Sequence, residues 1–113
     1  MEKFRLPLFL FVFLSAQISL SAPRTVFVQL FEWPWREIAK ECENYLGPAG
    51  FSAVQVSPPH EHIVWQKNPW WERYQVVSYK ISSRGGNESD FKEMIQRCHN
   101  SGVDVYVLSL IHI

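Results

Sequence analysis

Apolar and polar positions along this chain alternate between two patterns. Thr25-Val26-Phe27-Val28-Gln29-Leu30-Phe31 is β-branched and aromatic with little polar interruption, which reads as a strand buried on both faces. After Pro34, a residue suited to a first helical turn, Trp35, Ile38 with Ala39, Cys42, and Tyr45 with Leu46 recur at helical spacing. Gly47 and Pro48 are expected to stop that helix. Phe51-Ser52-Ala53-Val54-Gln55-Val56 predicts a second strand, ended by Pro58-Pro59. Phe91, Met94, Ile95 and Cys98 fall on one stripe of a second helix. Asn87 or Ser89 could cap its start, and Gly102 ends it. Val103-Asp104-Val105-Tyr106-Val107 predicts a third strand. Strand, helix, strand, long loop, helix, strand is the order of parallel βαβ units, an α/β fold. Right-handed crossovers place both helices on one side of the sheet.

The stretch from about Ser57 to Gly86 breaks the pattern. It holds Pro58, Pro59 and Pro69, with a short strand expected within Gln75 to Ile81. Loops of this length are uncommon unless functional or disordered, and its aromatic content argues against disorder. At its centre stands Trp70-Trp71-Glu72-Arg73-Tyr74-Gln75. Aromatic rings carry large apolar area, a polarised π face and, in Trp and Tyr, one polar handle. Such a cluster either closes a core or offers a flat platform to a ligand. A pyranose ring matches a platform, with apolar C–H faces and a rim of hydroxyls that Glu72, Arg73 and Gln75 could serve. The six residues alone leave both readings open.

The start of the chain differs in kind. Lys3 and Arg5 precede an apolar run from Leu6 to Leu14, and small and polar residues follow. That is the order of a secretory signal peptide, residues 1–21, cut after Ser19-Leu20-Ser21. The run is short of the roughly 20 residues that span a bilayer. Residues 22–113 then carry 9 basic and 10 acidic side chains, a formal charge of −1. This balance argues against nucleic acid or an anionic membrane as partner and suits a neutral substrate. Cys42 and Cys98 are the two cysteines. In a secreted chain an even count suggests a disulfide, with two buried thiols as the alternative. Both lie on the inner faces of helices expected to be neighbours.

Three stretches together are similar to one family, the animal α-amylases: Leu30-Phe31-Glu32-Trp33, Val54-Gln55-Val56-Ser57-Pro58-Pro59 and Pro69-Trp70-Trp71-Glu72-Arg73-Tyr74-Gln75. Ser78-Tyr79-Lys80, Gly86-Asn87-Glu88 and Gly102-Val103 continue the match in order, over about residues 25–107. The resemblance implies a secreted, monomeric (β/α)₈ TIM barrel that hydrolyses internal α-1,4-glucosidic bonds of starch, glycogen and maltooligosaccharides with retention. Barrels of this type need about 250 residues. The chain would supply only an N-terminal part of one, about three strands and two helices in residues 22–113. The resemblance further implies that Trp70, Trp71, Tyr74 and Gln75 line the substrate cleft, and that Cys42 and Cys98 pair. It implies calcium, and often chloride, in the complete enzyme, with no metal ligand in this chain.

What the resemblance leaves out is as informative. Retaining glycosidases use two carboxyl groups, and the family's catalytic acids come from later strands, so no catalytic residue is expected here. Glu32, Glu61 and Glu72 read as loop or rim carboxylates. The fragment alone is expected to be inactive; a non-catalytic glucan-binding protein and a non-functional truncated product are the alternatives. The third strand also departs from the family pattern. Aligned without gaps, Leu108 stands where the family has Asp, His112 where it has a calcium-ligating Asn, and Ile113 where it has a substrate-contacting His. Calcium prefers hard oxygen ligands, so residues 108–113 read as a frame slip or assembly join. His60-Glu61-His62 lacks the His-Glu-x-x-His spacing of helical zinc motifs and reads as a polar rim. Gly85-Gly86 is a turn, with no Lys-Ser/Thr after it to make a phosphate cradle. Asn87-Glu88-Ser89 is an N-glycosylation sequon.

Overall fold

The computed structural model describes residues 22–108. The expected leader 1–21 and residues 109–113 lie outside them. Three parallel strands form the main sheet in the order β1 (Phe27–Leu30), β2 (Ala53–Val56), β6 (Asp104–Val107). Phe27 pairs with Ala53 and Ala53 with Asp104, and the register continues residue by residue along the sheet. Partners in a parallel register share a face. One face therefore carries Val28, Leu30, Val54, Val56 and Val105, and the other Phe27, Gln29, Gln55 and Tyr106.

The first face holds the core. Helix α1 (Trp35–Glu41) contributes Trp35, Ile38 and Ala39, and the turns after it contribute Cys42 and Leu46. Helix α3 (Glu88–Asn100) contributes Phe91, Met94 and Cys98. The Trp35 and Phe91 rings meet edge to face, with centroids 5.1 Å apart. Both helices thus cover one side of the sheet, as right-handed crossovers require. The Cys42–Cys98 disulfide is formed, with Cα atoms 5.0 Å apart.

The other face corrects an expectation. Strand β1 alternates exposed and half-buried positions instead of being buried on both sides. Phe27 keeps 57% of its surface exposed and packs edge to face on Tyr106, 6.1 Å away. Apolar residues on both faces of β1 were legible in the sequence, but among the described residues only the helical side has a layer over it.

Gly47 and Pro48 do not stop the first helix. It passes through a π-helical turn (Cys42–Leu46) into a short segment α2 (Gly47–Ala49). An α-helical proline clashes with the carbonyl four residues back and removes a bond. The wider turn, in which the Gly47 N–H reaches back to the Cys42 carbonyl, accommodates Pro48 without a break. Gly50 then ends the helix in the left-handed region, φ 83°.

The long stretch is also more ordered than expected. It folds into an antiparallel side sheet in the order β3 (His60–His62), β4 (Val76–Ser83), β5 (Gly86–Asn87). The anticipated strand after Gln75 is thus longer and has partners. His60-Glu61-His62, expected in a loop, is an irregular edge strand of this sheet. His62 is buried, its Nδ1 2.7 Å from the Ile63 carbonyl, and Glu61 accepts a hydrogen bond from the Ser78 hydroxyl. Of the two candidate caps for α3, Asn87 is used.

Candidate functional site

The aromatic segment forms a 3₁₀ helix, Trp70–Tyr74, entered through the extended Pro69 and held by Glu72 N–H to Pro69 O (3.2 Å) and Gln75 N–H to Glu72 O (3.0 Å). Its rings divide into two groups. Trp70 meets Tyr74 edge to face at 5.8 Å and Phe31 at 6.1 Å. Phe31 directly follows β1, so this group lies at the C-terminal end of the parallel sheet. Trp71 turns the other way, towards Trp65, with centroids 6.2 Å apart and planes inclined by 50°. Trp70 is 57% exposed, Trp65 59% and Trp71 38%. Tyr74 is half-buried and Gln75 is exposed. Gln75 also gives its carbonyl to the Ile63 N–H, tying the segment to the side sheet. The rings form a surface rather than an enclosed pocket. A shallow hollow of about 280 Å³ lies beside Trp65, between Val64 and Gln66. A separate groove of about 300 Å³, lined by Glu61, His62, Val64, Ser82, Ser83 and Arg84, lies on the side sheet.

Beneath the rings lies a network that sequence reasoning missed. Glu72 and Arg73 do not serve a sugar rim, since they are 0% and 1% exposed. Glu32 sits between two guanidinium groups, 3.0 Å from Arg73 Nε and 2.6 Å from Arg84 Nη2. The Arg73 contact is at ion-pair distance without hydrogen-bond alignment. Glu72 lies 2.7 Å from Arg84 Nη1 and accepts a hydrogen bond from the Trp65 N–H at 2.8 Å. Arg84 also donates to the Asn68 carbonyl at 2.7 Å. The four side chains carry two charges of each sign, so the cluster is neutral as a whole. A buried charge needs this pairing. Burial pushes the Arg73 guanidinium below its ordinary pKa, and the Glu32 carboxylate opposes that push.

Each bond in the network fixes part of the aromatic surface. Glu72 anchors the backbone of Trp65. Arg84 holds Asn68, and Asn68 N–H closes a turn on Trp65 O at 3.2 Å. Lys67 and Asn68 both take positive φ in that turn, 68° and 45°. Glu32 itself takes φ 66°, and its N–H donates to the Ser57 hydroxyl at 2.9 Å. A non-glycine residue there costs of order 1–3 kcal/mol and persists where surroundings over-determine it. Two arginines and a hydroxyl do so here. The guanidinium of Arg73 also lies 5.9 Å over the Trp35 ring, which joins the network to the core.

The turn before β5 completes the support. Trp35 N–H donates to the Gly85 carbonyl at 2.8 Å. A Cβ on Gly85 would lie 2.5 Å from Trp35 Cε2. Gly85→Ala is therefore expected to cost roughly 1–3 kcal/mol, as overpacking does. Urea titration checks this, and a loss of only a few tenths would contradict the close approach.

Glu32, Glu61 and Glu72 can now be placed. Glu72 is buried, correcting the loop-or-rim reading, and both it and Glu32 are committed to arginines. Among the described residues there is no cluster of three or more His, Cys, Asp or Glu, and the hydrocarbon side chain of Leu108 offers no oxygen ligand. No helix among them is long and apolar enough to cross a membrane.

A parallel α/β unit with an exposed aromatic helix at its C-terminal end is what the fold and site define. Known proteins share both its sequence and its shape. The chain is 59% identical over 91 residues to pancreatic α-amylase of Rattus norvegicus, spanning 79% of this chain and 18% of that protein. It is 47% identical over 116 aligned positions to an α-amylase-related protein of Drosophila yakuba, spanning 96% of this chain and 24% of that protein. The solved α-amylase I of Eisenia fetida superimposes with a TM-score of 0.72 at 46% identity, over 77% of this chain and 18% of that one. A mutant of that enzyme, solved as a complex with maltohexaose, fits equally well. No family model matches the chain. Over most of its own length the chain is similar in sequence and in fold to α-amylases, and it spans about a fifth of the length of the relatives it matches.

Proposed function

We propose that this chain forms part of the substrate cleft of a secreted α-amylase, built as a (β/α)₈ barrel. The complete protein would hydrolyse internal α-1,4-glucosidic bonds of starch, glycogen and maltooligosaccharides with retention, acting as a monomer. Trp70, Trp71, Tyr74 and Gln75 would contact the glucan. The observation that carries the reading is the exposure of the Trp70 and Trp71 rings over a neutral ion network whose Glu72 and Arg73 are buried, with Trp70 at the C-terminal end of the parallel strands. Barrel enzymes build their sites on that face. Apolar ring faces kept in water by a rigid base suit the C–H faces of glucose, and the mutant Eisenia enzyme's maltohexaose complex supports a glucan as ligand.

Sequence reasoning passed over Trp65, a lone aromatic between Val64 and Gln66. Its ring pairs with Trp71 and its backbone is anchored by Glu72, so it joins the proposed platform. The catalytic carboxylates would come from other parts of the protein, because Glu32 and Glu72 are held by arginines. That arrangement leaves the isolated fragment without activity. Calcium and chloride would likewise take their ligands outside these residues.

Trp71→Ala in the complete protein is the test. Losing one stacked ring is expected to cost about 2 kcal/mol of transition-state binding, about thirtyfold in kcat/KM on long glucans. Unchanged kinetics on soluble starch would remove the platform role. A glucan-binding protein without catalysis would instead lose affinity for maltohexaose, with no hydrolysis to measure.

A further inference from the structure

Asn87 is the single Asn-x-Ser/Thr asparagine in the chain, and its geometry divides its amide between two tasks. Oδ1 accepts a hydrogen bond from the Asp90 N–H at 2.9 Å, while Asp90 Oδ2 reaches back 3.4 Å to the Asn87 N–H. This capping box closes the start of α3. A cap needs the oxygen towards the helix, so Nδ2 faces away, and it makes no hydrogen bond among the described residues. Asn87, Glu88 and Ser89 are all exposed, and Asn87 pairs across the β4–β5 turn with the exposed Ser82.

We infer that Asn87 carries an N-linked glycan whose attachment leaves the helix cap intact. Transfer forms one bond, from Nδ2 to the anomeric carbon of a lipid-pyrophosphate-linked oligosaccharide. The sugar–phosphate bond breaks, the lipid pyrophosphate leaves, and Nδ2 gives up one proton. Nothing is oxidised or reduced. The product amide keeps its carbonyl, so Oδ1 still accepts from Asp90. Transfer needs a free Asn-x-Ser segment, whereas α3 places Ser89 in a closed first turn. Modification therefore precedes docking of α3, as entry into the secretory path during synthesis allows. The inference rests on the secreted reading above, and its test is arranged to stand apart from it.

The chain is translated with microsomes, residues 1–21 being replaced by a cleavable leader of known efficiency, so entry no longer depends on them. The expected product is protease-protected and carries one endoglycosidase-sensitive increment. Ser89→Ala and Asn87→Asp should each remove that increment. Asp caps as well as Asn, so Asn87→Asp removes the sugar and spares the cap. A protected, leader-cleaved chain without the increment overturns the inference, as does an increment that survives in Ser89→Ala. Peptide mapping of the wild-type product should place the sugar on Asn87, and a sugar elsewhere counts equally against it.

Discussion

Replacing Arg84 by Ala is expected to destabilise the protein by about 3–5 kcal/mol, the cost of breaking a buried ion pair from one side. Glu72 is wholly buried, and among the described residues its carboxylate is paired with Arg84 and hydrogen-bonded by the Trp65 N–H. Without Arg84 it is left as a buried charge with one neutral donor, and Glu32 keeps only the unaligned Arg73 contact. The Asn68 carbonyl loses its donor as well. The loop that carries Trp65 should loosen with the core, so cleavage after Lys67 by trypsin should accelerate more than global unfolding alone predicts. Converting Glu72 to Leu and Arg84 to Met together removes both charges at similar volume. That double variant should lose clearly less than Arg84→Ala, because replacing a buried pair by apolar groups is often close to neutral. Denaturant titration of the three proteins checks this. A loss below about 1 kcal/mol in Arg84→Ala would mean that water reaches Glu72 and that the network does not support the rings.

The sequence foretold the parallel strands and both helices, because each is written in a local period. Val54 and Val56 in β2, and Phe91, Met94 and Cys98 in α3, sit where their spacing put them. The aromatic segment announced itself by composition, and its most exposed ring, Trp70, lies at the sheet's C-terminal end beside Phe31. The roles of its polar members did not follow. Glu72 and Arg73 look like surface residues because their partners, Glu32 and Arg84, come from other segments of the chain. A neutral cluster built from three distant pieces has no local signature. Trp65 was hidden for the same reason, since its place beside Trp71 is set by a side chain seven positions later. Pro48 misled for a different one. Its usual meaning as a stop assumes an α-helical turn, and the π-helical turn before it removes the clash.

Removing the Cys42–Cys98 bridge is expected to cost about 4 kcal/mol, from the chain entropy regained when a loop of 56 residues opens in the unfolded state. Alanine at both positions is the suitable variant, since serine would bury two hydroxyls where both cysteines are fully buried. The bridge ties the end of α1 to the inner face of α3, the two helices that cover the parallel sheet. Its neighbours offer little to replace it. Arg97 grips Glu43 at 2.7 and 2.6 Å across the same helix pair, but that pair lies at the surface, where ion pairs contribute little. The core between the helices is built mainly from Trp35, Ile38, Phe91 and Met94, and it would remain intact in the variant. Secondary structure should therefore persist while the unfolding midpoint falls. Reductant should shift the wild type to the variant's midpoint and leave the variant unmoved. A double alanine protein within about 1 kcal/mol of the oxidised wild type would show that packing between α1 and α3, and not the covalent link, holds the helical layer on the sheet.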